Sequence, residues 1–329
     1  MAGPDHIDER PPPAASVVTT VYNRERSLAR AVTSVLGQSF TDYEYIIVDD
    51  GSTDDSAAIA ESFDDPRVQV IRMPHRGRAA ALNTAFELCR GEIILIQDSD
   101  DVALPERFTK QVAFLRQHPD VGMVGCQLSL VNEDKGEVRE IVLPTDHKDI
   151  LSLTPLTSAV AFCASGIRVS LLLSRRPFDE TMPAAEDYDF QLKHLSCMRF
   201  HNLEETLQKK FTQIDSLGQI HKVAQDQLTR ERSLRFLDRE AHAPQIFYSA
   251  SEISFQRARV EYYYGELAET RRILFPLILK NPWQFRLYRF FIPSLLGSHL
   301  LKAVQRQGIT IMMSRQLRRF SFLRKHFLP

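Results

Sequence analysis

The chain of 329 residues is 43% apolar and 25% charged, ordinary values for a folded soluble protein of one large domain or two smaller ones. The net charge of −1 is unevenly spread, because 12 of the 41 basic residues and no acidic ones fall between Thr270 and Pro329. No apolar run approaches the ~20 residues that span a bilayer, and no basic segment leading into an apolar stretch marks a secretory signal. Cys89, Cys126, Cys163 and Cys197 lack zinc-ligand or redox spacing, so reduced thiols in a cytoplasmic protein are expected.

Residues 1–15 are polar and proline-rich and are expected to be disordered. SVVTTVY is a β-branched run that predicts a strand. In RERSLARAVTSVLGQSF, Leu28, Val32, Val35 and Leu36 recur at helical spacing, with Asn23 placed to cap the start. YEYIIVDDGS predicts a second buried strand, and Ser52 or Thr53 is placed to cap the helix after it. VQVIRM reads as a third strand, RAAALNTAFEL as a helix and EIILIQ as a fourth strand. Pro105 suits a helix start, Phe108, Val112 and Leu115 form the apolar stripe, and Pro119 ends it. VGMVGCQLSLV predicts another strand, and AFCASGIRVSLLL a strand running into a helix. Beyond about residue 200 the pattern is helical with little strand signal. Residues 255–296 read as an antiparallel helix pair broken near Asn281 and Pro282.

Strands that are apolar throughout, alternating with helices, predict an α/β fold: a mostly parallel sheet sandwiched by helices, with a helical C-terminal region. The expected division is a tail over 1–15, a catalytic domain over 16–215 and a basic helical region over 216–329. Such sheets bind ligands outside the carboxyl ends of their strands. Three polar clusters fall there: Thr20, Tyr22 and Asn23; Asp49 and Asp50; and Asp98, Asp100 and Asp101. The three aspartates of LIQDSDDVALPERF offer oxygen-only ligation, which suits Mg²⁺ or Mn²⁺ completed by water and substrate phosphates; a solvated turn before the helix is the alternative. Asp49 and Asp50 can accept hydrogen bonds from a ribose or a base, or sit in a helix first turn, where the macrodipole favours Asp. Asp54 and Asp55 are expected to have only that second role. Gln97 carries no expected chemistry.

SVVTTVYNRERSLARAVTSVLGQSFTDYEYIIVDDGSTDDS followed by LIQDSDDVALPERF resembles the family 2 glycosyltransferases over about residues 16–200. The resemblance implies the A-type nucleotide-sugar-binding fold. It also implies inverting transfer of a sugar from a nucleotide-diphosphate donor to an acceptor hydroxyl, dependent on Mn²⁺ or Mg²⁺, in cell-surface polysaccharide or glycoconjugate synthesis. Thr20, Tyr22, Asn23 and Asp50 would hold the nucleoside, with Tyr22 stacked on the base. Arg78 and Asp98 would face the donor, and Asp98, Asp100 and Asp101 would form the metal motif. In PAAEDYDFQLKHL, Glu186 and Asp187 match the family's acidic pair, which opens a helix near the acceptor. One carboxylate must take the acceptor's proton; Asp187 is the first candidate and Glu186 the alternate, while Asp189 is expected to point away.

One departure stands out. Many members carry a Tyr-Arg-x-His segment beside the diphosphate, where this chain has Phe211-Thr212-Gln213-Ile214. Either His201, His221 or Lys222 replaces it, or the lid is different; the alternative reading is a catalytically silent nucleotide-binding or scaffold protein of the same fold. A nucleotidyltransferase is disfavoured, because no glycine-rich phosphate loop follows the first strand. In the basic C-terminal region Arg and Lys alternate with Phe, Leu, Tyr and Trp283. That pattern suits helices on the anionic inner face of a membrane, or helices packed on the catalytic domain. Nucleic acid is not an expected partner.

Overall fold

The computed structural model describes residues 11–195, 197–212, 222–242, 248–264 and 267–295. Most of the expected N-terminal tail, His221, the Lys222 side chain and the last 34 residues of the basic region, from 296 to 329, lie outside them. The first half follows the expected alternation: β1 (Ala15–Val21), α1 (Leu28–Leu36), β2 (Tyr43–Asp49), α2 (Ser56–Glu61), β3 (Val68–Arg72), α3 (Arg78–Leu88) and β4 (Ile93–Ile96). Next come β5 (Val102–Ala103), α4 (Arg107–Gln117), β6 (Val121–Asn132), β7 (Glu137–Ile141), α5 (His147–Leu153), β8 (Gly166–Arg168), α6 (Glu186–His194) and β9 (Arg199–Thr212). Four helices close the described chain: α7 (Lys222–His242), α8 (Ala250–Tyr264), α9 (Leu267–Lys280) and α10 (Phe285–Ser294).

One sheet of nine strands runs in the order β3-β2-β1-β4-β8-β6-β9-β5, with β7 on β6. The parallel arrangement expected from the apolar strands holds for β3-β2-β1-β4. Past β4 the sheet is mixed: β8 is antiparallel to β4 and β6, while β9 is parallel to β6 and antiparallel to β5. From β1 the chain moves outward through β2 and β3, then returns to place β4 on the other side of β1. That reversal opens a crevice at the carboxyl ends of β1 and β4, the place where such sheets bind ligands.

Val18 and Ile46 on one sheet face join Phe86 of α3 and Phe162, Phe190, Phe236 and Leu237 in one core. On the other, Val17, Tyr45 and Ile47 meet Leu28, Val32, Phe108 and Val112 of α1 and α4. Because Phe236, Leu237, Tyr248 and Ile253 belong to the first core, α7 and α8 pack directly on the sheet domain. The last helices form a further cluster around Tyr262, Leu274, Leu287 and Phe290. Among the described residues, no helix is long and apolar enough to cross a membrane.

Several local expectations change. Asn23 does not cap α1, which starts after Ser27; its Oδ1 accepts from the Thr53 N–H at 2.8 Å, in a left-handed conformation (φ 51°). Ser52 does not cap α2 either, since its Oγ accepts from the Asn23 N–H at 3.0 Å. These two contacts knit the ends of β1 and β2 together, which leaves neither side chain free for a helix. Only a short strand forms within AFCASGIRVSLLL, flanked by single 3₁₀ turns. Residues 199–212 are a strand of 14 residues, where a helical pattern was expected. Its Glu- and Lys-rich outer face hides the alternation, and three register shifts against β6 break the period further. The described part of 255–296 holds pieces of three helices, and the break at Asn281 and Pro282 is present.

Candidate active site

A cleft of about 730 Å³ lies over the carboxyl ends of β1, β2 and β4, lined by Thr20, Tyr22, Asp50, Arg78, Asp98 and Asp187, among others. At one end the Tyr22 ring stacks on His75, with centroids 4.1 Å apart and planes 19° from parallel. Asp50, 2% exposed, organises this corner. Its Oδ1 accepts from the Arg76 N–H at 2.8 Å, its Oδ2 from the Gly77 N–H at 2.9 Å, and His75 Nδ1 lies 2.9 Å from Oδ2. The adjoining Gly51 has φ +72°, and a Cβ there would stand 2.6 Å from the His75 nitrogen, so only glycine lets the two loops close. Asp49 is spent locally, accepting from the Ser52 N–H at 3.3 Å.

The aspartate turn is held from beneath. Gln97 Nε2 donates to the carbonyls of Asp98 (3.0 Å) and Asp101 (2.9 Å). Gln208 Nε2 donates to Gln97 Oε1 at 3.3 Å, and Arg107 Nη1 to Gln208 Oε1 at 2.7 Å. Gln97 therefore has a role that the sequence did not suggest. Above it, oxygens of Asp98 and Asp101 and the Cys163 sulfur lie within 4.8 Å of one another. Asp101 is 1% exposed; its Oδ1 accepts from the Phe211 N–H at 3.1 Å, while its buried Oδ2 has no hydrogen-bond partner. A lone buried carboxylate oxygen beside a second carboxylate fits a hard divalent cation. Asp100 turns toward Arg24 Nε, 3.7 Å away.

The electrostatics follow from this crowding. Burial pushes the Asp101 carboxyl up to about 7, with Asp98 and Asp100 adding to the rise against the pull of Lys210. Asp100 is also raised, by burial and then by Asp98. Asp98 is lowered: burial opposes this, but Arg78 and then Lys210 outweigh it. Arg78 Nη2 donates to Asp98 Oδ1 at 2.8 Å while its Nη1 binds Glu186, which ties α3 to both acidic clusters.

Glu186 and Asp187 open α6, directly after Ala185, whose φ of 61° is unusual for a residue with a side chain. Glu186 is 7% exposed and engaged by Arg78. Asp187 lines the cleft; burial and then the Glu186 charge push its carboxyl up to about 6. Asp189 points away, paired with Lys193 at 2.6 Å and Arg232 of α7 at 3.2 Å. On the same side, Tyr188 Oη lies 2.8 Å from Ser233 Oγ of α7 and donates to the Thr154 carbonyl at 2.7 Å. Thus α7 buttresses the helix that carries the acidic pair.

Sequence reasoning missed His75, Arg24, Cys163 and Lys210, all of which line the cleft. His201 does not; its ring stacks on Phe114 at 4.4 Å. Lys210 would have been found had β9 been recognised, because Gln208 and Lys210 alternate inward while Lys209 is exposed.

The fold and cleft define an A-type glycosyltransferase. The profile "Glycosyl transferase family 2" matches residues 16–173. The O-antigen biosynthesis glycosyltransferase WbnJ of Escherichia coli is 31% identical over 200 residues, 58% of this chain and 77% of WbnJ. The chain belongs to glycosyltransferase family 2. Among solved structures, TarS of S. aureus in complex with UDP-GlcNAc superposes with a TM-score of 0.60 at 18% identity, covering 89% of this chain and 92% of that one. The mannosyltransferase PcManGT of Pyrobaculum calidifontis, in complex with GDP-Man and Mn²⁺, gives 0.56 at 16% identity, covering 95% and 84%. At these identities the two structures speak to the fold alone.

Proposed function

We propose that this glycosyltransferase moves a sugar, with inversion, from a nucleotide-diphosphate donor to an acceptor hydroxyl in cell-surface polysaccharide or glycoconjugate synthesis. The observation that carries the reading is Asp187: a carboxyl pushed up to about 6, in the same cleft as the Asp98–Asp101 turn. A group that titrates there is ionised at neutral pH yet basic enough to accept a proton. The nucleoside base stacks on Tyr22 beside the loop that Asp50 holds, and Thr20 borders the sugar of the nucleoside; Asn23, expected to bind the donor, is instead held by the Thr53 N–H and is not part of the cleft lining. Mn²⁺ or Mg²⁺ held by Asp98 and Asp101 would stabilise the departing diphosphate as a Lewis acid. Asp187 takes the hydroxyl proton as the acceptor oxygen attacks the anomeric carbon opposite the diphosphate, and inversion follows from that single displacement. A panel of UDP- and GDP-sugars with Mn²⁺ tests the reading. Nucleoside diphosphate release should be abolished by a chelator and restored by added metal; release that ignores the chelator would remove the ion from the mechanism.

The same reading includes a membrane on the cytoplasmic side. Phe275, Leu279, Trp283, Phe285, Ile292 and Leu295 are all more than half exposed on α9, α10 and the residues flanking them. They sit in the stretch with basic residues and no acid, so an anionic lipid surface complements both the apolar and the charged groups. Vesicles containing phosphatidylglycerol should pull the chain down at low salt. Trp283→Ala with Phe285→Ala should release it, and equal sedimentation with neutral vesicles would argue against the charge contribution.

A further inference from the structure

Lys210 is a cation with unspent donors inside the cleft. Its ammonium lies 4.0 Å from Cys163 Sγ, and among the described residues it makes no ion pair with a carboxylate inside 4.0 Å. The other cations of the cleft are engaged: Arg78 is shared between Asp98 and Glu186, and Arg24 donates to the Asn23 carbonyl at 3.0 Å and faces Asp100. An ammonium has three N–H donors. A lysine ammonium is charged at neutral pH, and the Asp101, Asp98 and Asp100 carboxyls near it favour that form. It is therefore held charged by its surroundings without being chelated by them.

We infer that Lys210 grips the diphosphate of the donor, supplying from β9 the fixed positive charge that Phe211-Thr212-Gln213-Ile214 does not carry. This rests on the nucleotide-diphosphate reading above. Three structural facts support it. Lys210 is carried by the strand whose Phe211 N–H holds Asp101. It lines the same cleft as Asp98 and Asp187. Its neighbour Gln208, on the same strand face, is locked by Arg107, so the backbone that carries the ammonium is fixed in place. Charge develops on the leaving diphosphate as the glycosidic bond breaks, and a fixed ammonium there stabilises it without reorganising.

The test is binding of UDP and GDP against UMP and GMP, by calorimetry, with and without Mn²⁺. Lys210→Met should weaken the preferred nucleoside diphosphate by about tenfold or more, the loss of one charge-assisted contact, while the matching monophosphate changes by less than about twofold. Lys210→Arg should recover much of the loss. Equal weakening of both nucleotides, or unchanged diphosphate affinity, would overturn the role of Lys210 alone. If the unaltered chain binds neither UDP nor GDP, the donor reading falls and the lysine's role with it. If Lys210→Met does not fold, as judged by its melting curve, Lys210→Gln carries the same comparison.

Discussion

Asp187→Asn is expected to lower turnover by about 10²–10⁴-fold, the usual contribution of a positioned general base, with donor affinity nearly unchanged. The amide keeps the size of the side chain but cannot take a proton. Its neighbour is a poor substitute, because Glu186 is 7% exposed and already bound by Arg78. The pH dependence follows from the sign of the shift. Burial and the Glu186 charge raise the Asp187 carboxyl to about 6, so the active, ionised form grows as pH rises through about 6 and is complete above it. Turnover should follow that rise in the unaltered chain and lose it in Asp187→Asn. Steady-state release of nucleoside diphosphate between pH 5 and 8, with calorimetry for donor binding, measures both. Full activity in the variant would remove Asp187 as the base. Glu186→Gln should act differently, by loosening Arg78 and weakening donor binding, with a pH limb still present but moved to lower pH because the Glu186 charge no longer raises Asp187.

The largest effect on stability is expected at Arg107, which is 0% exposed. Its Nη1 donates to Gln208 Oε1 at 2.7 Å, and its Nη2 to the Ile96 carbonyl at 2.9 Å. Burial lowers its pKa, the cost of holding a guanidinium there. Arg107→Ala removes the largest fully buried side chain and strands buried acceptors on β4 and β9. Unsatisfied buried groups and a cavity together cost about 3–5 kcal/mol, so the melting temperature should fall by about 10 °C. Because Arg107 begins the chain through Gln208 and Gln97 to the aspartate turn, nucleotide binding should weaken even below the melting range. Differential scanning calorimetry and nucleotide titration check the two effects; a drop under about 1 kcal/mol would mean that the site relaxes around the loss.

The parallel half of the sheet was legible because β1, β2 and β4 are buried on both faces, so their apolar runs stand out and the polar residues at their ends mark the cleft. Thr20, Tyr22, Asp50, Arg78, Asp98 and Asp187 do line one cavity. Less visible was anything that depends on a partner distant in sequence. Gln97 is ordinary until Gln208 and Arg107 are placed against it. Asn23 and Ser52 look like helix caps because Asn and Ser usually are; here each bonds the other strand's loop instead. Lys210 was hidden by its setting, since LEETLQKKF has the composition of a solvated segment. Only the period-two geometry of a strand turns one of its two lysines inward. The family resemblance favoured Asp98 and Asp100 as the metal pair, with Asp101 beside them as the alternative; the grouping in the structure is Asp98 with Asp101 and Cys163, with Asp100 set against Arg24.

The contact of α7 with α6 also bears on how the enzyme can be shortened. Arg232 and Ser233 reach Asp189 and Tyr188, the two residues that follow the proposed base Asp187 in α6. A chain trimmed at residue 173, where the family profile ends, would keep the cleft residues at the ends of β1, β2 and β4, yet lose both the proposed proton acceptor and the strut behind it. Trimming after β9 would keep the acceptor and still remove the strut. A shortened chain that keeps turnover is therefore expected to extend through α7, past residue 173, where the family profile stops; turnover in a chain cut after β9 would show that the strut is dispensable.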